Sequence, residues 1–166
     1  MDLDELVVHG IYLIQDQYFI DFKKPYWMDN KNENRPYYYL VRDADGIDWV
    51  IPLSSQTENY RAKINKIEEQ RGKGNCIYYH IGKIASTERV FLIGDMFPVN
   101  ASYIKSAFKI GYQHYIVQNE KLNKAIYSKS MRFLKLVSIG KIKSRNDIMG
   151  IKRILISQRE NDAYII

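Results

Sequence analysis

Hydrophobic positions are densest in two runs, Arg35-Pro36-Tyr37-Tyr38-Tyr39-Leu40-Val41 and Trp49-Val50-Ile51-Pro52-Leu53-Ser54-Ser55. Both are rich in aromatic and β-branched residues, and they flank the polar gap Asp43-Ala44-Asp45-Gly46. Asp-Gly between such runs predicts a β-hairpin. The second strand is expected to stop at Pro52, which has no N–H for the ladder. Beyond that stop come two adjacent hydroxyls, Ser54 and Ser55. A rigid strand that delivers small donors into a loop is a common way to build a site.

Before the hairpin, Leu6 to Ile14 reads as a strand with Gly10 as a bulge. Gln15 to Phe22 reads as a short helical turn with Tyr18, Phe19 and Phe22 inward. Lys23 to Asn34 is a polar loop, long for a compact domain and therefore a candidate for function. After the hairpin, Gln56 to Gln70 is charged, exposed and partly helical, and Arg71-Gly72-Lys73-Gly74-Asn75 is a basic turn. Cys76 to Ile84 and Arg89 to Val99 give further strands. Asn100 or Ser102 then reads as a helix N-cap. From there the spacing predicts two helices as far as Val137, with a break near Gln118-Asn119. Ile104, Phe108, Tyr112 and Tyr115 form one stripe, and Leu122, Ile126, Phe133 and Val137 the other. Ser138 to Arg145 is a cationic turn, Lys152 to Ile156 a last strand, and residues 158–166 a loose or partner-docking tail. The expected class is α+β: a single domain with a strongly curved antiparallel sheet and added helices. It is β-rich over 1–100, helical and basic over 101–145, and ends in a strand and tail over 146–166.

The length of 166 residues suits one domain with a real core, and 46% hydrophobic residues suits a soluble globule. No run is long enough to span a bilayer. The start, Met1-Asp2-Leu3-Asp4-Glu5, is acidic, unlike a secretory leader. Cys76 is the single cysteine, which excludes a disulfide framework and a cysteine-rich zinc site. A cytoplasmic protein without metal or other cofactor is the expectation.

Charge changes the picture more. Residues 1–100 carry 12 Lys/Arg against 15 Asp/Glu, a net of −3, whereas residues 101–166 carry 13 against 4, a net of +9. A cationic block attracts polyanions. For charge runs in general, ordinary solvated helix faces are the better explanation. The 14 tyrosines tip the balance toward nucleic acid, because aromatic rings stack on bases.

The order of segments along the chain resembles the toxins of type III toxin–antitoxin systems, the ToxN/AbiQ-like endoribonucleases, and among them the CptN-like branch. The resemblance is carried by "RPYYYLVRDADGIDWVIPLSS", the strand ending "HIGKI", "RVFLIGDMFPV" and "KLNKAIYSKSMRFL". It implies a barrel-like core similar to the Kid/MazF toxins. The implied activity is metal-independent cleavage of cellular or phage RNA. The 2′-hydroxyl attacks the neighbouring phosphate, leaving 2′,3′-cyclic phosphate and 5′-hydroxyl ends. The implied partner is a small repeated RNA antitoxin, folded as a pseudoknot, in closed ring-like assemblies.

The family's Pro-Leu-(Ser/Thr)-Ser motif places its serine on Ser55 and the neighbouring residue on Ser54. A family lysine falls on Arg35, and a family tyrosine falls near Lys31. Arginine stays protonated, so Arg35 is suited to clamp phosphate rather than to shuttle protons. The catalytic candidates are thus Ser55, Ser54, Arg35, His80 and Lys31. His80 is the first choice for proton transfer, since histidine titrates near neutrality; a strand-end histidine bonded to backbone is the equal alternative. Lys31 and Lys83 are substitutes, and Gln56 and Thr57 lie next to the serines as RNA contacts. Antitoxin binding is assigned to Lys121, Lys124, Lys129, Arg132, Lys135, Lys141, Lys143 and Arg145, with Tyr103 and Tyr127 stacking on bases. His9 reads as a strand residue and His114 as a helix-face residue. Asp43, Asp45 and Asp48 read as solvated turn acids. Two other readings stay open: a non-catalytic RNA-binding module, and a protein-interaction domain whose charge serves solubility.

Overall fold

Asp43 shapes the turn on which the sheet is built. Its carboxylate accepts from the backbone N–H groups of Asp45 and Ile47, and its own N–H donates to the Ile47 carbonyl. Gly46 supplies a φ of 77°. The hairpin strands β2 (Tyr37–Arg42) and β3 (Asp48–Ser54) pair antiparallel, and every residue of β3 is buried. The computed structural model describes residues 6–165, so the acidic Met1–Glu5 segment lies outside the described residues.

The expectation that the second strand stops at Pro52 is corrected: β3 continues to Ser54, with Pro52 in register with Tyr37. On its other side β3 changes partners around Pro52. Asp48 to Val50 pair with β6 (Phe97–Val99), and Leu53 and Ser54 pair with β5 (Thr87–Phe91). The missing N–H falls in the gap between those partners, where no ladder bond is due.

Seven strands form one sheet whose path runs β4-β5-β3-β2-β1-β7, with β6 joining at β3, and every pairing in it among the described residues is antiparallel. Here β1 is Ile11–Ile14, β4 is His80–Ile84 and β7 is Ile104–Ala107. The sheet is open, with β4 and β7 at its two ends. Strand β1 is shorter than its apolar run because the chain turns at His9, whose φ is 74°. A Cβ on Gly10 would sit 2.9 Å from the Val7 carbonyl, so glycine permits that turn. The short α1 (Asp16–Asp21) buries Tyr18, as its spacing predicts.

The first predicted helix after Asn100 is overturned. Asn100 caps only a 3-10 turn over Ala101–Tyr103, and the chain then enters β7, which fills the open edge of β1. A small hairpin follows, β8 (Lys109–Ile110) and β9 (Gln113–His114), turning at Gly111 and Tyr112. His114 is thus a strand residue, with Nε2 2.9 Å from the Ile11 carbonyl. His9 lies in a turn and stacks on Tyr38 at 5.9 Å.

The second predicted helix is present as α3 (Glu120–Ser138), capped by the Asn119 side chain at Leu122 N–H. Leu122, Ile126 and Phe133 are its buried stripe. A Cβ on Gly82 would lie 2.5 Å from Leu122 Cδ1, so the bare backbone of β4 lets α3 close. The charged segment after the serines is fully helical, α2 (Thr57–Arg71), with Tyr60 its buried residue.

The predicted last strand and, as far as residue 165, the predicted loose tail are also overturned: both belong to α4 (Ile148–Ile165), and residue 166 lies outside the described residues. Ile148, Ile151 and Leu155 recur at helical spacing and are buried, which outweighs the β-branched run Ile154 to Ile156. Lys152 Nζ ties α4 to the hairpin turn, 2.8 Å from both Asp43 and Asp45. Asp48 is buried and bonded to Tyr39 and Arg42. Asp43 and Asp48 are therefore structural rather than solvated. Among the described residues no helix is long and apolar enough to cross a membrane.

Candidate functional site

Ser54 ends β3 and turns the chain into α2. Its buried Oγ accepts from Gln56 N–H at 3.2 Å, and the Ser55 carbonyl accepts from Thr57 N–H at 2.9 Å. The Ser55 hydroxyl is exposed and makes no hydrogen bond among the described residues. No side chain caps α2 at Gln56, and with Gln56 N–H and Thr57 N–H already bonded, the Glu58 and Asn59 N–H groups of the first turn are left to solvent or ligand. Of the two serines, Ser54 is committed to the turn and Ser55 is available for chemistry.

Arg35 is 5% exposed. Its Nε donates to the Asp29 carbonyl at 2.6 Å and its Nη1 to the Leu53 carbonyl at 2.7 Å. The side chain thus braces the loop before β2 against the strand end, two residues before Ser55. The expected phosphate clamp is corrected, because the Nε edge is already spent on backbone. Arg35 contributes position and charge. Lys31 is exposed on the braced loop, and Lys31, Asn32 and Glu33 take φ values of 53°, 56° and 65°. Such consecutive left-handed residues cost about 1 kcal/mol or more each.

The register separates His80 from Ser54. Leu53, Phe91 and His80 stand opposite one another across β3, β5 and β4, as do Ser54, Val90 and Ile81. Directly opposed residues share a face. Ser54 therefore shares the face where Tyr60 packs with Val90, and His80 shares the other with Phe91. His80 Nδ1 lies 2.9 Å from Lys129 Nζ. Burial and that neighbouring cation lower its pKa to about 4, leaving it neutral at physiological pH. Burial also lowers Lys129. His80 thus lies on the other face from Ser54 and is engaged by Lys129.

A cleft of about 250 Å³ opens between the tyrosines before β4 and the 3-10 turn Ile93–Asp95. Tyr78, Tyr79 and Phe133 form its aromatic wall, and Lys143 and Arg145 are its cations. The Asp95 side chain is 10% exposed, and Arg145 Nε stands 4.0 Å from its Oδ1, too far for a hydrogen bond. Burial raises the Asp95 pKa, while Arg145, Lys63 and Arg35 pull it down. Tyr60 packs on Tyr79 with ring centroids 4.9 Å apart and carries Lys63 over its ring at 4.7 Å. Asp95, Tyr60, Tyr79 and Lys63 were missed in the sequence. The available signal was Gly94-Asp95, an acid set between the apolar runs Val90 to Ile93 and Met96 to Val99.

The remaining predicted cations spread over several surfaces. Lys83 and Lys121 flank a cleft with His80, Lys124 borders one with His9 and Tyr127, and Lys135 lies near Lys152. Arg132 and Lys141 are exposed, as are Gln56 and, in part, Thr57. Tyr127 is half exposed, whereas Tyr103 is committed to Asp21 through its hydroxyl. The structure joins Arg35, Ser54, Ser55, Gln56 and Thr57 at one strand end, and Lys143 with Arg145 at the cleft. It does not join the α3 lysines to either. Among the described residues no group of three His, Cys, Asp or Glu could hold a metal ion. No family model matches the chain, and no curated protein matches it either.

Proposed function

We propose that the protein is an endoribonuclease that cuts single-stranded RNA at the β3–α2 corner, as the toxin of a type III toxin–antitoxin system. The observation that carries the reading is the exposed Ser55 hydroxyl at an uncapped helix start, braced by the buried Arg35 charge. In-line attack by a 2′-hydroxyl builds negative charge on the non-bridging phosphate oxygens. Fixed donors are the largest source of stabilisation for such charge, roughly 3 kcal/mol for one donor. Ser55 O–H and the Glu58 and Asn59 N–H groups are donors of that kind. Lys31, Lys63 and Arg145 attract the phosphate chain, and Tyr79 offers a ring to a base. A Kid/MazF-like core, a repeated RNA antitoxin on the cationic C-terminal half and a closed protein–RNA assembly belong to the same proposal. The test is purified protein with RNA in EDTA. Wild type releases 2′,3′-cyclic phosphate ends and Ser55→Ala does not; equal cutting by both overturns the assignment.

A non-catalytic RNA-binding module is the second reading, favoured by the position of His80 on the other face from Ser54. It predicts salt-dependent RNA binding with no cutting by wild type.

A further inference from the structure

The tyrosines around Asp95 differ from the other tyrosines that are not exposed. The hydroxyls of Tyr18, Tyr37, Tyr38, Tyr39 and Tyr103 all bond to protein partners. Those of Tyr60, Tyr78 and Tyr79 have none among the described residues, and no donor there reaches the Asp95 carboxyl within hydrogen-bond distance. Two phenols, those of Tyr78 and Tyr79, and a nearly buried carboxyl thus line one opening without bonding one another, with Tyr60 packed behind Tyr79. These oxygens keep access to solvent through the opening, so the set fits a ligand that takes the place of water.

The shape and charge narrow that ligand. The volume of about 250 Å³ is several times the roughly 30 Å³ of one water, and the wall is aromatic. A Cβ on Gly94 would stand 3.2 Å from Tyr78 Cδ1, so the turn backbone lies against the ring and leaves a slot. The cations Lys143 and Arg145 fit a phosphate outside, and the carboxyl within fits neighbouring N–H donors. Among the RNA bases only the Watson–Crick edge of guanine offers two adjacent N–H donors, N1 and N2, to one carboxylate.

We propose that this cleft reads a guanine of single-stranded RNA, the Asp95 carboxylate accepting from N1–H and N2–H while the base lies against Tyr79. The inference deepens the ribonuclease reading and rests on it for the choice of RNA.

The test uses 2′-O-methyl RNA, which cannot be cut, in a run of uridines with one central guanosine or one inosine. Inosine lacks only the N2 amino group. Wild type is expected to bind the guanosine oligomer about tenfold more tightly, and Asp95→Asn to bind both alike. Equal wild-type affinity for the two, no binding of either, or discrimination retained in Asp95→Asn overturns the pocket. The inosine comparison uses wild type alone, so it holds even where Asp95→Asn does not fold. Cutting of unmodified RNA without discrimination removes the pocket and keeps the ribonuclease; discrimination without cutting does the reverse.

Discussion

Lys129 Nζ and His80 Nδ1 lie 2.9 Å apart where α3 crosses β4. A protonated imidazole there would face an ammonium across one hydrogen bond. His80 titrates near 4 when folded against 6.5 as a free side chain, so the unfolded chain holds more protons between those values. The contribution is complete above pH 6.5 and is lost as pH falls through 4. Urea unfolding at pH 7 and pH 4.5 is expected to show a drop about 2 kcal/mol smaller in His80→Gln than in wild type. Lys129→Met is expected to raise the His80 pKa in an NMR titration. An unchanged value would mean that burial alone sets it.

The two serines should separate stability from chemistry. Ser54→Ala removes the acceptor for Gln56 N–H and is expected to cost about 1 kcal/mol in urea unfolding. Ser55→Ala is expected to leave stability unchanged and to abolish RNA cutting. Loss of stability in Ser55→Ala, measured in the same experiment, would recast it as a turn residue.

Arg35 is expected to behave as a brace. Arg35→Ala leaves the Asp29 and Leu53 carbonyls without their donors, at a cost of about 2–4 kcal/mol. Arg35→Lys keeps the charge but not the paired geometry, and should fall between the two. If Arg35→Lys cut RNA as wild type while Arg35→Ala folded well and did not, charge alone would be its role.

Gly82 should be intolerant of a side chain. Gly82→Ala drives a methyl into Leu122, an overpacking worth about 1–3 kcal/mol. Adding Leu122→Ala opens the space again, so the double variant should lose less than the two single losses combined. Simple additivity in thermal unfolding would show that α3 shifts instead.

Salt dependence should map the cations. Each of Lys143→Ala and Arg145→Ala is expected to lower the slope of log affinity against log salt for single-stranded RNA by about 1, and Lys109→Ala on the small hairpin to leave it.

Much of this was legible in local pattern. Asp-Gly between dense apolar runs gave the central hairpin, and the Leu122, Ile126, Phe133 stripe gave α3. The stretch Ile104 to Tyr115 shows why the rest was not. Its apolar spacing suits a helix, yet the bare edge of β1 takes Ile104 to Ala107 as a strand, a long-range demand no local window contains. In α4 the β-branched run masked the spacing of Ile148, Ile151 and Leu155. The site was legible as far as Ser55 and Arg35 at one strand end. The face of His80 depends on two successive pairings, and the cleft joins Tyr78, Asp95 and Arg145 from distant segments.

Arg145 stands just ahead of α4, whose docking is pinned by Lys152 to a turn a hundred positions earlier. The cleft therefore takes its guanidinium from a segment held in part by a contact between distant stretches of the chain, whereas Ser55 and its brace rest on contacts between residues 29 and 57.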